Sequence, residues 1–224
     1  MIRKIKFFLL NIFLASWVNH FCLAQNSVNP FLGPNVRAMA AQALAAEKRG
    51  DLASAIDINK KILETQPANV CSINSIAGLY GKLGQYDDEM QWAEKAIAID
   101  KNYSLAYINY GDALAGKGRV EEAKQAYQTA STLNPKLAIP LYNLGVLSDR
   151  QHDYVTAIQF YQKAIILNPN FEDAYYNLGV DYINLKKFPE AISAFQKVLS
   201  LNPNAADANK ILKDLKQKAK KEKK

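Results

Sequence analysis

The chain has 224 residues, 49% hydrophobic and 22% charged, with 28 basic and 21 acidic side chains and a formal net charge of +7. That balance belongs to an ordinary globular protein and excludes both a disordered chain and a polytopic membrane protein. The charge is concentrated at the ends: Arg3, Lys4 and Lys6 stand without an acid in residues 1–24, and residues 210–224 hold eight Lys against Asp214 and Glu222. The span between them is close to neutral, which excludes a basic nucleic-acid groove through the fold.

Taken in chain order, the first element is a three-part export signal over residues 1–24. A basic start leads into an apolar stretch from Phe7 to Val18, then into Cys22-Leu23-Ala24 with small residues suited to a cut after Ala24. A bilayer span needs about 20 apolar residues, so cleavage is expected over retention as an anchor. The mature protein is therefore expected to be periplasmic or secreted. Loss of Cys22 would leave Cys71 as a lone, inert thiol and leave packing to hold the fold. Residues 25–35, with Asn29-Pro30 and Gly33-Pro34, read as a linker.

From residue 36 a 34-residue period takes over, marked by Pro67, Pro135, Pro169 and Pro203, with Lys101 in the vacant slot. Five repeats follow: 36–69, 70–103, 104–137, 138–171 and 172–205. Small residues recur at the eighth position (Ala43, Ala77, Gly111, Gly145, Gly179), where two helices of a hairpin come close. The twentieth position reads Ala55, Glu89, Ala123, Ala157, Ala191, and aromatic residues fill the twenty-fourth at Tyr127, Tyr161 and Phe195. Within each half the apolar residues fall at i, i+3, i+4 and i+7, the helical period. Gly50, Gly84 and Gly118 close the first helix of their repeats, and His152 and Lys186 take that place later. Glu89 breaks a tightly packed column, and its carboxylate is expected to reach solvent. Asn59 stands where an aromatic is usual. Residues 206–224 read as a capping helix and basic tail, with Ile211, Leu212 and Leu215 as a narrow apolar stripe.

Leu141-Tyr142-Asn143-Leu144-Gly145 and Tyr175-Tyr176-Asn177-Leu178-Gly179 resemble the tetratricopeptide-repeat consensus almost letter for letter, and the likeness covers residues 36–205. The resemblance implies an all-α fold, a right-handed α-solenoid of helix-turn-helix repeats. It also implies a groove lined by the second, fifth, sixth, ninth, twelfth and thirteenth positions of each repeat. The candidate peptide-binding residues at those positions are Leu105, Ile108, Asn109, Ile139, Tyr142, Asn143, Val146, Tyr176, Asn177 and Val180. An Asn carries both a donor and an acceptor, so Asn109, Asn143 and Asn177 could grip the backbone of an extended peptide. The same row also suits helix-to-helix hydrogen bonding, and both readings stand at this stage. Carboxylate-clamp members of the family hold acidic C-termini with basic residues, whereas here Arg37 alone faces the groove.

Catalysis finds no foothold. The sequence has no HExxH, no paired CxxC, no phosphate loop and no GxSxG, and its scattered acids are expected mostly on solvated helix faces. The expected protein is thus a non-catalytic interaction scaffold without cofactor or metal. Its partner would be a protein or peptide, an apolar segment or helix, and not nucleic acid. Membrane contact is expected only through the basic tail. A chaperone-like holdase for exported polypeptides, or an accessory subunit docking by its convex face, are the alternatives.

Overall fold

A computed structural model describes the backbone of residues 33–221 and the side chains of 33–217; the expected signal and most of the linker lie outside them. Every regular element among the described residues is an α-helix. The chain divides into two compact units, one up to Leu133 and one from Asn134. The first holds three hairpins: α1 (Pro34–Lys48) with α2 (Leu52–Thr65), α3 (Val70–Lys82) with α4 (Tyr86–Ile99), and α5 (Ser104–Gly116) with α6 (Val120–Leu133). The second holds α7 (Ala138–Arg150) with α8 (Tyr154–Leu167), α9 (Glu172–Asn184) with α10 (Phe188–Leu201), and α11 (Ala206–Lys221).

Each hairpin turns in the same way. The residue after the C-cap has a positive φ, and two backbone bonds close the turn. In the first hairpin Gly50 N–H donates to Glu47 O (2.9 Å) and Asp51 N–H to Ala46 O (3.0 Å), which is the Schellman arrangement. The second unit repeats it with His152 at φ 60° and Lys186 at φ 58°, a conformation that disfavours a side chain. Asp51 and Asp153 then cap α2 and α8 by accepting from Ser54 and Thr156 N–H, each at 3.1 Å. Between hairpins, Asp100, Asn168 and Asn202 accept from the backbone N–H two residues on, and these Asx turns start the next repeat.

Packing within a hairpin depends on matched volumes. A Cβ on Gly111 would lie 2.5 Å from Tyr127 Cε1, one on Gly145 2.6 Å from Tyr161 Cε1, and one on Gly179 2.7 Å from Phe195 Cε2. The glycine is the space that the ring occupies. The second hairpin departs from this rule. It has Ala77 and Ala93 at the corresponding places, both fully buried, and Glu89 fills the remaining volume against Gly81. A Cβ on Gly81 would come within 2.6 Å of Glu89 Cδ. Glu89 is only 1% exposed, so the expectation that it reaches solvent is corrected. The physical reason is the glycine at residue 81, which opens a slot that the long side chain enters. Asn59, in the first hairpin's aromatic slot, is likewise buried and donates from Nδ2 to Ala55 O at 2.8 Å.

At the end of the second unit, Ala208, Leu212 and Leu215 of α11 are buried against Ala191, Phe195 and Val198, with Ile211 alongside. The stripe is a lid on α10, as a terminal cap requires. Cys71 opens α3 half-buried, its Sγ 3.6 Å from Tyr103 Oη, and is disulfide-bonded instead of the expected lone thiol. That expectation applies to a chain that has lost Cys22; the structure is of the 224-residue chain.

Candidate peptide-binding site

The candidate residues fall into two sets, one in each unit. Leu105, Ile108 and Asn109 lie on α5, and all three are buried. Asn109 Nδ2 donates to Asn74 O at 3.0 Å and to Asn74 Oδ1 at 2.9 Å. Its donor capacity therefore joins α5 to α3, and it is not free to hold a peptide. For Asn109 the helix-to-helix reading of the asparagine row is the one the geometry favours.

The second set lies on α7 and α9. Asn177 Nδ2 donates to Tyr142 Oη at 2.9 Å and approaches Tyr161 Oη at 3.4 Å, so this amide too ties helices together. Tyr142 is fully buried, stacked on Phe171 (4.9 Å between centroids, 29°) and tilted against Tyr161 at 5.5 Å. Burial raises the phenol pKa of both Tyr142 and Tyr161 far above the ordinary tyrosine range, so both keep their protons. Tyr176 meets Phe195 edge-on at 5.4 Å, and Val180 packs beside it on the core of α10 and α11. Asn143 is buried, whereas Ile139, Val146, Tyr176, Asn177 and Val180 remain half-exposed. Of the ten candidates, those that stay partly exposed are thus all in the second unit, on α7 and α9.

Buried acids are what the sequence reading missed. Glu47, Glu89, Asp149 and Asp181 all lie below the surface, where solvated helix faces were expected. Glu47 is paired with Lys82 at 2.5 Å. Burial raises the Glu89 carboxyl well above the usual carboxylate range, and Asp112 nearby raises it further. Asp112 itself accepts from Tyr127 Oη at 2.7 Å. Gly81 opposite Glu89 was the one legible signal, since a small residue at that place leaves a slot. Among the described residues no group of three or more His, Cys, Asp or Glu is placed to hold a metal ion. No helix among them is long and apolar enough to cross a membrane.

Comparison with known proteins agrees with this architecture. Tetratricopeptide-repeat family models match residues 72–103, 92–125, 138–171 and 172–205, and a further TPR-repeat model matches 111–148. Small glutamine-rich tetratricopeptide repeat-containing protein 2 of Mycosarcoma maydis is 32% identical over 85 residues, covering 38% of this chain and 24% of that protein. The chain spans about a quarter or less of the length of the first curated relatives it matches. A crystal structure of MamA superposes with a TM-score of 0.59 at 28% identity, over 74% of this chain and 96% of that one. YrrB, described as a TPR protein with an unusual peptide-binding site, superposes at 0.55 with 19% identity, over 76% and 88%, and shows the fold alone. With matched repeats running from residue 72 to 205 and every described element a helix, the chain belongs to the tetratricopeptide-repeat family and folds as an α-solenoid of about five repeats.

Proposed function

We propose that the protein is a non-catalytic scaffold that binds an apolar peptide or helix of a partner protein on the α7–α9 face of its second unit. The supporting observation is the partly exposed set Ile139, Val146, Tyr176 and Val180. A helix face that is apolar yet incompletely covered suits a partner's amphipathic segment. Tyr176 adds a wide contact area with a polar tip, the kind of residue that dominates binding energies. The Asn109 amide is committed inside the first unit, which moves the expected centre of the site away from α5. The basic, apolar and small-residue pattern of residues 1–24 supports a role in the periplasm or beyond, in the assembly of an envelope or secretion complex.

The test is in-cell crosslinking of an Ile139→Glu/Val146→Glu chain, with circular dichroism to verify its helices. Loss of partner capture by the folded variant is the expected result. Capture equal to wild type would remove the α7–α9 face from consideration. N-terminal sequencing of exported protein checks the localisation, and a start at Met1 would count against a cleaved signal.

A further inference from the structure

Asp149 near the end of α7 and Asp181 on α9 are both buried in the second unit, 5% and 0% exposed, and each carboxyl acts directly on the other. Asp149 Oδ1 and both oxygens of Asp181 find no N–H or hydroxyl donor from any other residue among those described. Two carboxylates facing each other out of water cannot both ionise without strong repulsion, so the pair must hold something positive between them. The simplest occupant is one proton. With it, Asp181 donates to Asp149 and the contact becomes a charge-assisted hydrogen bond.

We infer that Asp149 and Asp181 form a proton-operated clasp that closes α9 onto α7 and opens when the shared proton leaves. The surroundings assign the roles within the pair. Burial raises the Asp149 carboxyl as well, while its contact with Asp181, the imidazole of His152 in the following turn and Arg150 act the other way and favour its negative charge. Asp181 has only Asp149 acting on it besides burial, and both push its carboxyl up to about 9. The other titratable groups packed around the clasp are Tyr142 from α7 and Tyr161 from α8, and burial raises both so that they resist becoming anions. From α10, Phe195 meets α9 at Gly179 and Tyr176. No lysine or arginine forms an ion pair with either aspartate among the described residues.

The clasp lies beside the Asn177–Tyr142 bond that also joins α9 to α7. Proton loss therefore loosens the helix pair that carries the half-exposed apolar face. The sign follows from linkage. The folded state holds the proton more tightly than the unfolded one, so the stabilisation is full at low pH and is lost as pH rises.

The experiment uses the full chain in a Glu89→Gln background, which removes the raised buried carboxyl of the first unit. Carboxyl carbon NMR of labelled aspartate and hydrogen exchange of α9 amides are followed between about pH 5 and about pH 9. One aspartate should titrate far above the others, with α9 protection falling alongside it. Asp181→Asn keeps a donor for Asp149 without a proton to lose, so it should abolish that titration and keep α9 protected throughout. Should every wild-type aspartate titrate in the ordinary carboxylate range, the clasp is wrong. Equal loss of α9 protection in wild type and Asp181→Asn would overturn it as well. So would recovery of wild-type protection at high pH by millimolar calcium or manganese, since the pair would then be a cation site.

Discussion

The two units use glycine in different places. The first puts glycine at each of its hairpin turns (Gly50, Gly84, Gly118) and, within a hairpin, has it beneath an aromatic ring only at Gly111; Gly116 meets the Tyr86 ring of the preceding hairpin. The second reverses this, with Gly145 and Gly179 beneath Tyr161 and Phe195, and His152 and Lys186 at its turns. Both arrangements build the same hairpin. The difference teaches that a column of the repeat constrains the summed volume of two facing residues more than the identity of either. Ala77 with Ala93, completed by Glu89 over Gly81, is as fully buried as Gly145 with Tyr161.

The sharpest way to break that comparison is to add one methyl at each site. Gly145→Ala drives a Cβ into the buried Tyr161 ring and should destabilise the second unit by about 1–3 kcal/mol. Urea unfolding measures it; a midpoint unchanged from wild type would show that the ring can yield. Gly81→Ala meets only the carboxylate end of the flexible Glu89 side chain, so it should cost less than Gly145→Ala, and this cost has a designed remedy. In the Gly81→Ala/Glu89→Ala chain the slot and its occupant vanish together, so the two changes should couple by about 0.5–3 kcal/mol. Strict additivity would mean that Gly81 and Glu89 do not share a volume.

The helices and their pairing were legible because periodicity and small-residue columns record packing directly. Five turns were readable from one residue each, even where His152 and Lys186 stand in for glycine. The candidate site was less legible. A groove position names which way a side chain leaves its helix, but not whether a neighbour takes it. Asn109 leaves α5 in the expected direction and is consumed by Asn74 on α3. Tyr142 is likewise consumed by Phe171, Tyr161 and Asn177. The fate of an acid depends on its distant neighbours, so the expectation that Glu89 reaches solvent fails, and nothing in the local pattern marks Asp149 or Asp181 as buried.

Protonation sharpens the comparison in the first unit. Burial holds the Glu89 carboxyl above its unfolded pKa, so the folded state binds the extra proton. Stability from this site is then full below the ordinary carboxylate range and declines as pH rises toward the raised value. Denaturant midpoints followed through Trp92, on the same helix, in a Trp17→Phe chain should fall from mildly acidic to alkaline pH. Glu89→Gln should flatten that decline, because an amide fills the slot and carries no proton to lose. A decline of the same slope in Glu89→Gln would place its origin elsewhere.

The smallest effect concerns the turns. His152 sits at φ 60°, a conformation that costs a side-chain-bearing residue about 1–2 kcal/mol relative to glycine. His152→Gly removes that strain but gives the unfolded chain more freedom, worth about 0.4–1 kcal/mol in the opposite direction. It also removes the contact of His152 Nδ1 with Tyr154 Oη at 3.0 Å, an exposed bond that contributes little. The balance predicts a gain of under ~1 kcal/mol in the second unit. The reciprocal Gly118→His in the first unit meets open space at its Cβ, so backbone strain is its only native-state cost. It should lose about what His152→Gly gains, and thermal midpoints of the two variants measure both. A loss much larger than the gain would mean that the second unit's turn has adapted to its side chain, making the two turns different structures.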